Sequence, residues 1–82
     1  MLTEYIQAVM RHATYERFDE DNSIFGSIDA PGFEGVWANE ATHEACEAEL
    51  QSVLEDWILL GVRLHHTLPV IAGISLNAPA VA

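Results

Sequence analysis

Thr42-His43-Glu44-Ala45-Cys46-Glu47-Ala48-Glu49-Leu50-Gln51-Ser52-Val53-Leu54-Glu55-Asp56-Trp57-Ile58 places Cys46, Leu50, Val53, Leu54, Trp57 and Ile58 at three- and four-residue spacings, the period of one helix face. Glu44, Glu47, Gln51 and Glu55 fall on another face, Thr42 can cap, and the early glutamates suit the positive end of the helix dipole. The spacing therefore predicts a long amphipathic helix that starts at Thr42 and ends near Leu64. Beyond Trp57 the run Ile58-Leu59-Leu60-Gly61-Val62 is apolar nearly all round, so that end is either deeply buried or covered by another subunit.

Working outward from this helix, Ala30-Pro31-Gly32-Phe33-Glu34-Gly35 is a loop that needs a positive φ within it, and Val36-Trp37-Ala38 resumes as a short strand. Ile24, Gly26 and Ile28 alternate with Phe25 and Ser27, which suits a strand with one face on a core and the other more exposed. Thr14, Tyr15 and Phe18 favour a strand over 13–18, and the polar cluster Asp19-Glu20-Asp21-Asn22-Ser23 makes the hairpin between the two. Leu2, Tyr5, Ile6, Val9 and Ala13 at helical spacing predict a first short helix, with Thr3 able to cap. Sequential strands with such short connections pair antiparallel, because a parallel pair needs a long crossover. Residues 68–74 could add a short fourth strand, which Pro69 and Gly73 restrict to a sheet edge. The fold class is α+β: a helix, a three-stranded antiparallel sheet and a long helix packed on one face. Residues 1–76 form one domain, and 77–82 a frayed tail with little to anchor it.

The chain has 82 residues and half of them are hydrophobic, enough for a single packed core and against wholesale disorder. A domain this small without a disulfide framework gains stability from self-association, so a homo-oligomer is expected. The net charge of −10 arises from thirteen acids against Arg11, Arg17 and Arg63. Such a chain repels phosphate backbones, which argues against direct nucleic-acid binding, and its field steers it toward a basic partner or simply keeps it soluble. Cys46 is the only cysteine, consistent with a reducing compartment. The start Met1-Leu2-Thr3-Glu4 has no basic region before an apolar run, and the longest apolar stretch, 57–62, is far too short to span a bilayer. A cytoplasmic protein without membrane contact is expected.

The motif Pro31-Gly32-Phe33-Glu34-Gly35-Val36-Trp37-Ala38 followed by Thr42-His43-Glu44-Ala45-Cys46, in the order helix, three strands, long helix, short strand, resembles the HicB-like antitoxin family. Gly35, Thr42 and Glu44 fit the family pattern, with Leu50 and Trp57 at its apolar positions. Ala45 stands where a second glutamate is usual, Cys46 takes a small alanine position, and the stretch 27–30 is about two residues longer than usual, which suggests a bulge at the exit of the second strand. The resemblance implies a partial, catalytically incomplete RNase H-like fold, and a small basic RNA-cleaving toxin as partner. It also implies a solitary member without the C-terminal DNA-binding segment that many relatives carry.

Each candidate chemical group has a plainer reading. His43 and Cys46 could present two metal ligands on adjoining turns, but a structural zinc site needs four, and Cys46 is more simply a small buried residue facing the sheet. His65 and His66 lie at the end of the long helix, and His12 near the end of the first, where imidazoles cap or sit on the surface. Glu16, Asp19, Glu20, Asp21 and Asp29 resemble a carboxylate-rich metal site, yet a solvated turn accounts for most of them. Trp37 and Trp57 read as core, and Phe33, flanked by glycines, as either core or an exposed anchor.

No metal or other cofactor is called for, and no nucleophile–base pairing or phosphate-binding glycine pattern is readable. The expected function is that of an antitoxin-type binding protein, not an enzyme. Phe33, Glu34, Glu16, Asp19, Glu20 and Asp21 are the candidate partner-binding residues, and Trp57, Leu59, Leu60 and Val62 the candidate oligomer interface. The alternative is an oligomeric structural or ligand-binding domain with some other partner. On either reading, a mobility-shift titration at physiological salt is expected to show no retardation of duplex DNA by this chain alone, because three arginines cannot offset thirteen acids.

Overall fold

The computed structural model describes residues 2–76; the tail expected over 77–82 lies outside the described residues. The chain runs through α1 (Leu2–Met10), β1 (Ala13–Arg17), β2 (Ile24–Ile28), β3 (Trp37–Glu40) and α2 (His43–Arg63). The strands form one antiparallel sheet in the order β1-β2-β3, so the α+β expectation holds. Ala13, where the first helical spacing and the strand expected over 13–18 overlap, opens β1, and β3, expected over Val36-Trp37-Ala38, runs from Trp37 to Glu40.

The long helix begins and ends where its sequence dictates. Thr42 is extended, and its hydroxyl accepts the Ala45 N–H at 3.1 Å, satisfying a donor the first turn leaves free. At the other end His65 takes φ 58°, the His66 N–H donates to the Gly61 carbonyl at 2.8 Å, and the His65 N–H donates to Val62 at 3.2 Å. This paired arrangement, with a left-handed residue just past the helix, satisfies the last carbonyls and stops α2 at Leu64.

Along α2 the buried side chains are Cys46, Leu50, Leu54 and Ile58, and they lie on the face made by β2 and β3. The sheet row beneath the start of the helix is Tyr15, Gly26 and Ala38, which the strand register sets side by side. Cys46 Sγ lies 3.7 Å from the Ala38 carbonyl, and a Cβ on Gly26 would sit 2.9 Å from that sulfur and 3.2 Å from the Tyr15 ring. Glycine here is a packing requirement: the helix reaches the sheet because nothing projects from position 26.

The connections close the remaining edge of the core. Gly32 adopts φ +90°, the positive value expected within its loop, and the loop delivers Phe33 inward. Phe33 is 1% exposed, with ring centroids 6.4 Å from Tyr5 and 5.2 Å from Trp57. It is a core residue of the two-helix side of the molecule, which decides between its two readings, core or exposed anchor, and removes it from the candidate partner-binding residues. The Tyr5 hydroxyl donates to the Pro69 carbonyl at 2.6 Å, tying α1 to the segment after α2. That segment does not extend the sheet: Ile71 and Ile74 exchange backbone hydrogen bonds around Ala72 (φ 50°) and Gly73 (φ 76°). Two positive-φ residues make a tight turn of their own, and buried Leu68 and Ile71 point into the core instead of lying along a strand edge.

Two substitutions test this packing by urea unfolding. Phe33→Ala is expected to cost about 3–5 kcal/mol, the range for an aromatic removed from a core. Gly26→Ala is expected to cost about 1–3 kcal/mol, since the buried Cys46 sulfur must give way to the new methyl.

Candidate functional site: the uncovered face of the sheet

The alternation that turns Tyr15, Gly26 and Ala38 toward α2 turns the residues between them the other way. Glu16, Phe25 and Asn39 form one outward row, and Thr14, Ser27 and Trp37 the next. Among the described residues no helix covers this face: Trp37 is 54% exposed, and Glu16, Thr14 and Asn39 are exposed. Trp37 is thus a surface residue, a correction to its reading as core. Its neighbours explain the position, because Val36 and Ala38 on either side are both buried and alternation leaves Trp37 outside.

Three aromatic rings cross the face diagonally. Trp37 lies one pair along from Phe25, the diagonal relation at which long side chains meet across strands. Their centroids are 5.9 Å apart and the planes 24° apart; Phe18, just past β1, stacks on the other side of Phe25 at 5.6 Å and 21°. Ser27 and Thr14 share a hydroxyl hydrogen bond at 3.3 Å, and the Asn39 amide donates to Ser23 Oγ at 2.9 Å, so polar groups frame the stripe.

Acidic residues border one end of it. Glu16 stands directly opposite Phe25, and Asp19, Glu20 and Asp21 occupy the exposed hairpin that follows Phe18. Within the hairpin Asn22 takes φ 60°, and Asp21 Oδ1 accepts the Ser23 N–H at 3.0 Å. Hydrogen bonding from Ser23 holds the Asp21 carboxyl below its ordinary value, so it stays charged. The structure therefore brings four of the acids selected from the sequence to one border and leaves the other selected residues elsewhere. Glu34 accepts the Gly32 N–H at 3.3 Å within its own loop; Phe33 is internal; Trp57 is half-buried against Phe33; Leu59, Leu60 and Val62 are exposed on the last turns of α2.

Aromatic stripes on open sheets usually stack nucleic-acid bases. Here the carboxylates beside the rings would repel phosphates, while an arginine or lysine side chain finds both a ring face and a counter-charge. Sequence reasoning selected the acids but not the rings, although the alternation Val36-Trp37-Ala38 is the signal that would have found Trp37.

The candidate metal pair resolves into packing. The His43 ring packs on Tyr15 at 4.2 Å with its plane tilted by 51°, Cys46 is wholly buried beneath the sheet, and among the described residues no three His, Cys, Asp or Glu side chains converge. His12, His65 and His66 are exposed, as is Asp29. Among the described residues no helix is long and apolar enough to cross a membrane.

A family model described as UPF0150-like matches residues 4–69. The crystal structure of TTHA0281 from Thermus thermophilus is 37% identical to this chain, superimposes with a TM-score of 0.79, and the match covers 96% of this chain and 95% of that one. No curated protein matches.

Burial pushes the Cys46 thiol above its ordinary value, with the Glu40 carboxylate acting in the same direction. Since the thiolate is the reactive form, a disulfide reagent is expected to label Cys46 at the rate of unfolding in native buffer and promptly in denaturant; prompt labelling of the native protein would contradict its seat beneath the sheet.

Proposed function

We propose, from the premise that the chain belongs to the UPF0150-like family, that it is an antitoxin-type protein of the HicB-like kind which binds and neutralises a small basic RNA-cleaving toxin. In this reading the chain is a binding protein and not an enzyme. The observation that carries it is the stripe of Phe18, Phe25 and Trp37 on the uncovered sheet face, bordered by Glu16, Asp19, Glu20 and Asp21.

The chemistry of such a complex follows from the two kinds of group present. A protein that cleaves RNA must carry a positive surface for its substrate, and a chain of net charge −10 is drawn to that surface at long range. Charge brings the two together quickly; the rings hold them. Desolvated aromatic contact slows dissociation, and a guanidinium laid on Phe25, with Glu16 opposite it on the neighbouring strand, would satisfy both. Occupation of the positive surface excludes RNA, which is how an acidic protein inhibits such an enzyme without chemistry of its own. A HicB-like assignment also fits the resemblance carried by Gly35, Thr42, Glu44, Leu50 and Trp57. It implies the cytoplasm as the compartment, where such toxins act.

The test is coexpression with a small basic RNA-cleaving protein encoded beside this chain, followed by an RNA-cleavage assay on the purified pair. Stoichiometric loss of cleavage is expected, with association slowed by added salt more than dissociation is hastened. Trp37→Ala is expected to weaken the complex by about 1–2 kcal/mol, roughly 5- to 30-fold, with little change in thermal stability. Full cleavage in the presence of excess wild-type protein would leave the alternative standing, an oligomeric domain of the same fold with another partner.

A further inference from the structure

The strand order β1-β2-β3 puts β3 at the edge of the sheet, and among the described residues no strand lies beyond it. A strand in that position presents backbone N–H and C=O groups outward, a template on which another chain can pair. Proteins commonly blunt such an edge with proline, lysine or a bulge. Trp37-Ala38-Asn39-Glu40 has none of these: its register with β2 is unbroken from Trp37 to Glu40, and the chain contains no lysine.

A cleft of about 420 Å³ accompanies this edge, lined by the residues of β3, by Gly35 before them, and by Glu49 and Val53 of α2. The helix runs back along the strand, with Cys46 against Ala38 and Trp57 beside Gly35. Half-buried Val53 therefore lies toward the Gly35 end of the cleft, and exposed Glu49 lies toward Glu40. A strand added to β3 alternates its side chains between the two faces of the sheet. Those on the helix side, the side of Ala38 and Glu40, meet Val53 and Glu49. Those on the other side stand beside Trp37 and Asn39 and continue the aromatic stripe.

Charge selects the occupant. Glu40 and Glu49 line the cleft and no cationic side chain does; Arg17, the arginine of the sheet, stands two strands from the edge, across Ile24 from Glu40. A second copy docked by the same edge would gather four carboxylates in one cleft with no cation to offset them. A nucleic-acid strand is repelled in the same way. A lysine or arginine on an extended protein segment finds both counter-charges there while its main chain pairs with the edge. We propose that β3 is the docking edge for an extended basic segment of a partner protein, added to the sheet as a fourth strand. An aliphatic side chain of that segment covers Val53, and two residues away on the same face a lysine or arginine meets Glu40 and Glu49. The proposal concerns this edge and holds whether or not the partner is an RNA-cleaving toxin.

An NMR titration of the full chain with a synthetic peptide tests the proposal. The probe is a capped peptide of about eight residues, longer than the strand it meets, with valine and lysine alternating on one face and threonine on the other. The backbone amides of β3 and the Trp37 indole are expected to shift, and the β3 amides to gain protection from hydrogen exchange. The same peptide N-methylated along its main chain keeps its charge but cannot pair, and is expected to bind at least about 10-fold more weakly. Glu49→Lys, at an exposed helix position, is expected to weaken the unmodified peptide about 10-fold, with an unchanged circular dichroism spectrum. No shift at millimolar peptide overturns the proposal, as do shifts confined to Glu16 and the hairpin acids. Equal binding of the N-methylated peptide, or full affinity in Glu49→Lys, reduces the effect to general charge attraction and overturns it as well. Protection of the β3 amides by a second copy in the free protein would give the edge to self-pairing instead.

Discussion

The seat of Cys46 on the row Tyr15, Gly26 and Ala38 is the contact on which the other features of the molecule depend. A helix can lie this close to a sheet only where the sheet presents small residues, and Gly26 with Ala38 provides that space at the centre of the three strands. With that row facing inward, strand alternation has no freedom left. Phe25 and Trp37 must face outward, and a slip of one residue would bury them while exposing Ile24 and Ile28. The same contact that builds the core therefore also builds the aromatic surface on the opposite side.

A domain of this size has enough apolar side chains to cover one face of a three-stranded sheet and not both. Its second helix, first helix and C-terminal segment all gather on that one side. Tyr5, Phe33 and Trp57 meet there, and the hydrogen bond from Tyr5 to Pro69 holds α1 and the segment after α2 around them. The opposite face is left to side chains that tolerate water in the free protein. Aromatic rings framed by hydroxyls, an amide and carboxylates meet that condition and remain able to lose water to a partner.

Two surfaces of different chemistry result, and the distribution of charge keeps them apart. The sheet face combines aromatic rings with carboxylates. The last turns of α2 expose leucines and a valine beside Arg63, with Glu55 and Asp56 one turn before them. Both are products of one chain in which acidic residues are dense before position 57 and absent after it.

Local rules made much of this legible in the residues themselves. The period of Cys46, Leu50, Leu54 and Ile58 marks the buried stripe of α2, Thr42 marks its start, and the alternation of Ile24, Gly26 and Ile28 marks the inward face of β2. Helix period, capping and strand alternation are properties of neighbouring residues, so no distant contact was needed to read them. The acids of the hairpin could be read as exposed for the same reason. The fate of Phe33 and Trp37 could not be read from composition, because burial of a single aromatic depends on what the rest of the chain brings to it. Phe33 sits in a glycine-flanked loop yet is enclosed by Tyr5 and Trp57, which lie 28 and 24 positions away in sequence. Trp37 sits in a strand yet is exposed, because every helix packs on the other face. Residues 68–74 read as an edge strand from their side chains, but two positive-φ residues and the burial of Leu68 and Ile71 fold them into a turn against the core. The sequence alone thus determined the elements and their inward faces, which are matters of local spacing, and tertiary structure decided which aromatics are surface and which are core, because only the assembled layers determine where water is excluded.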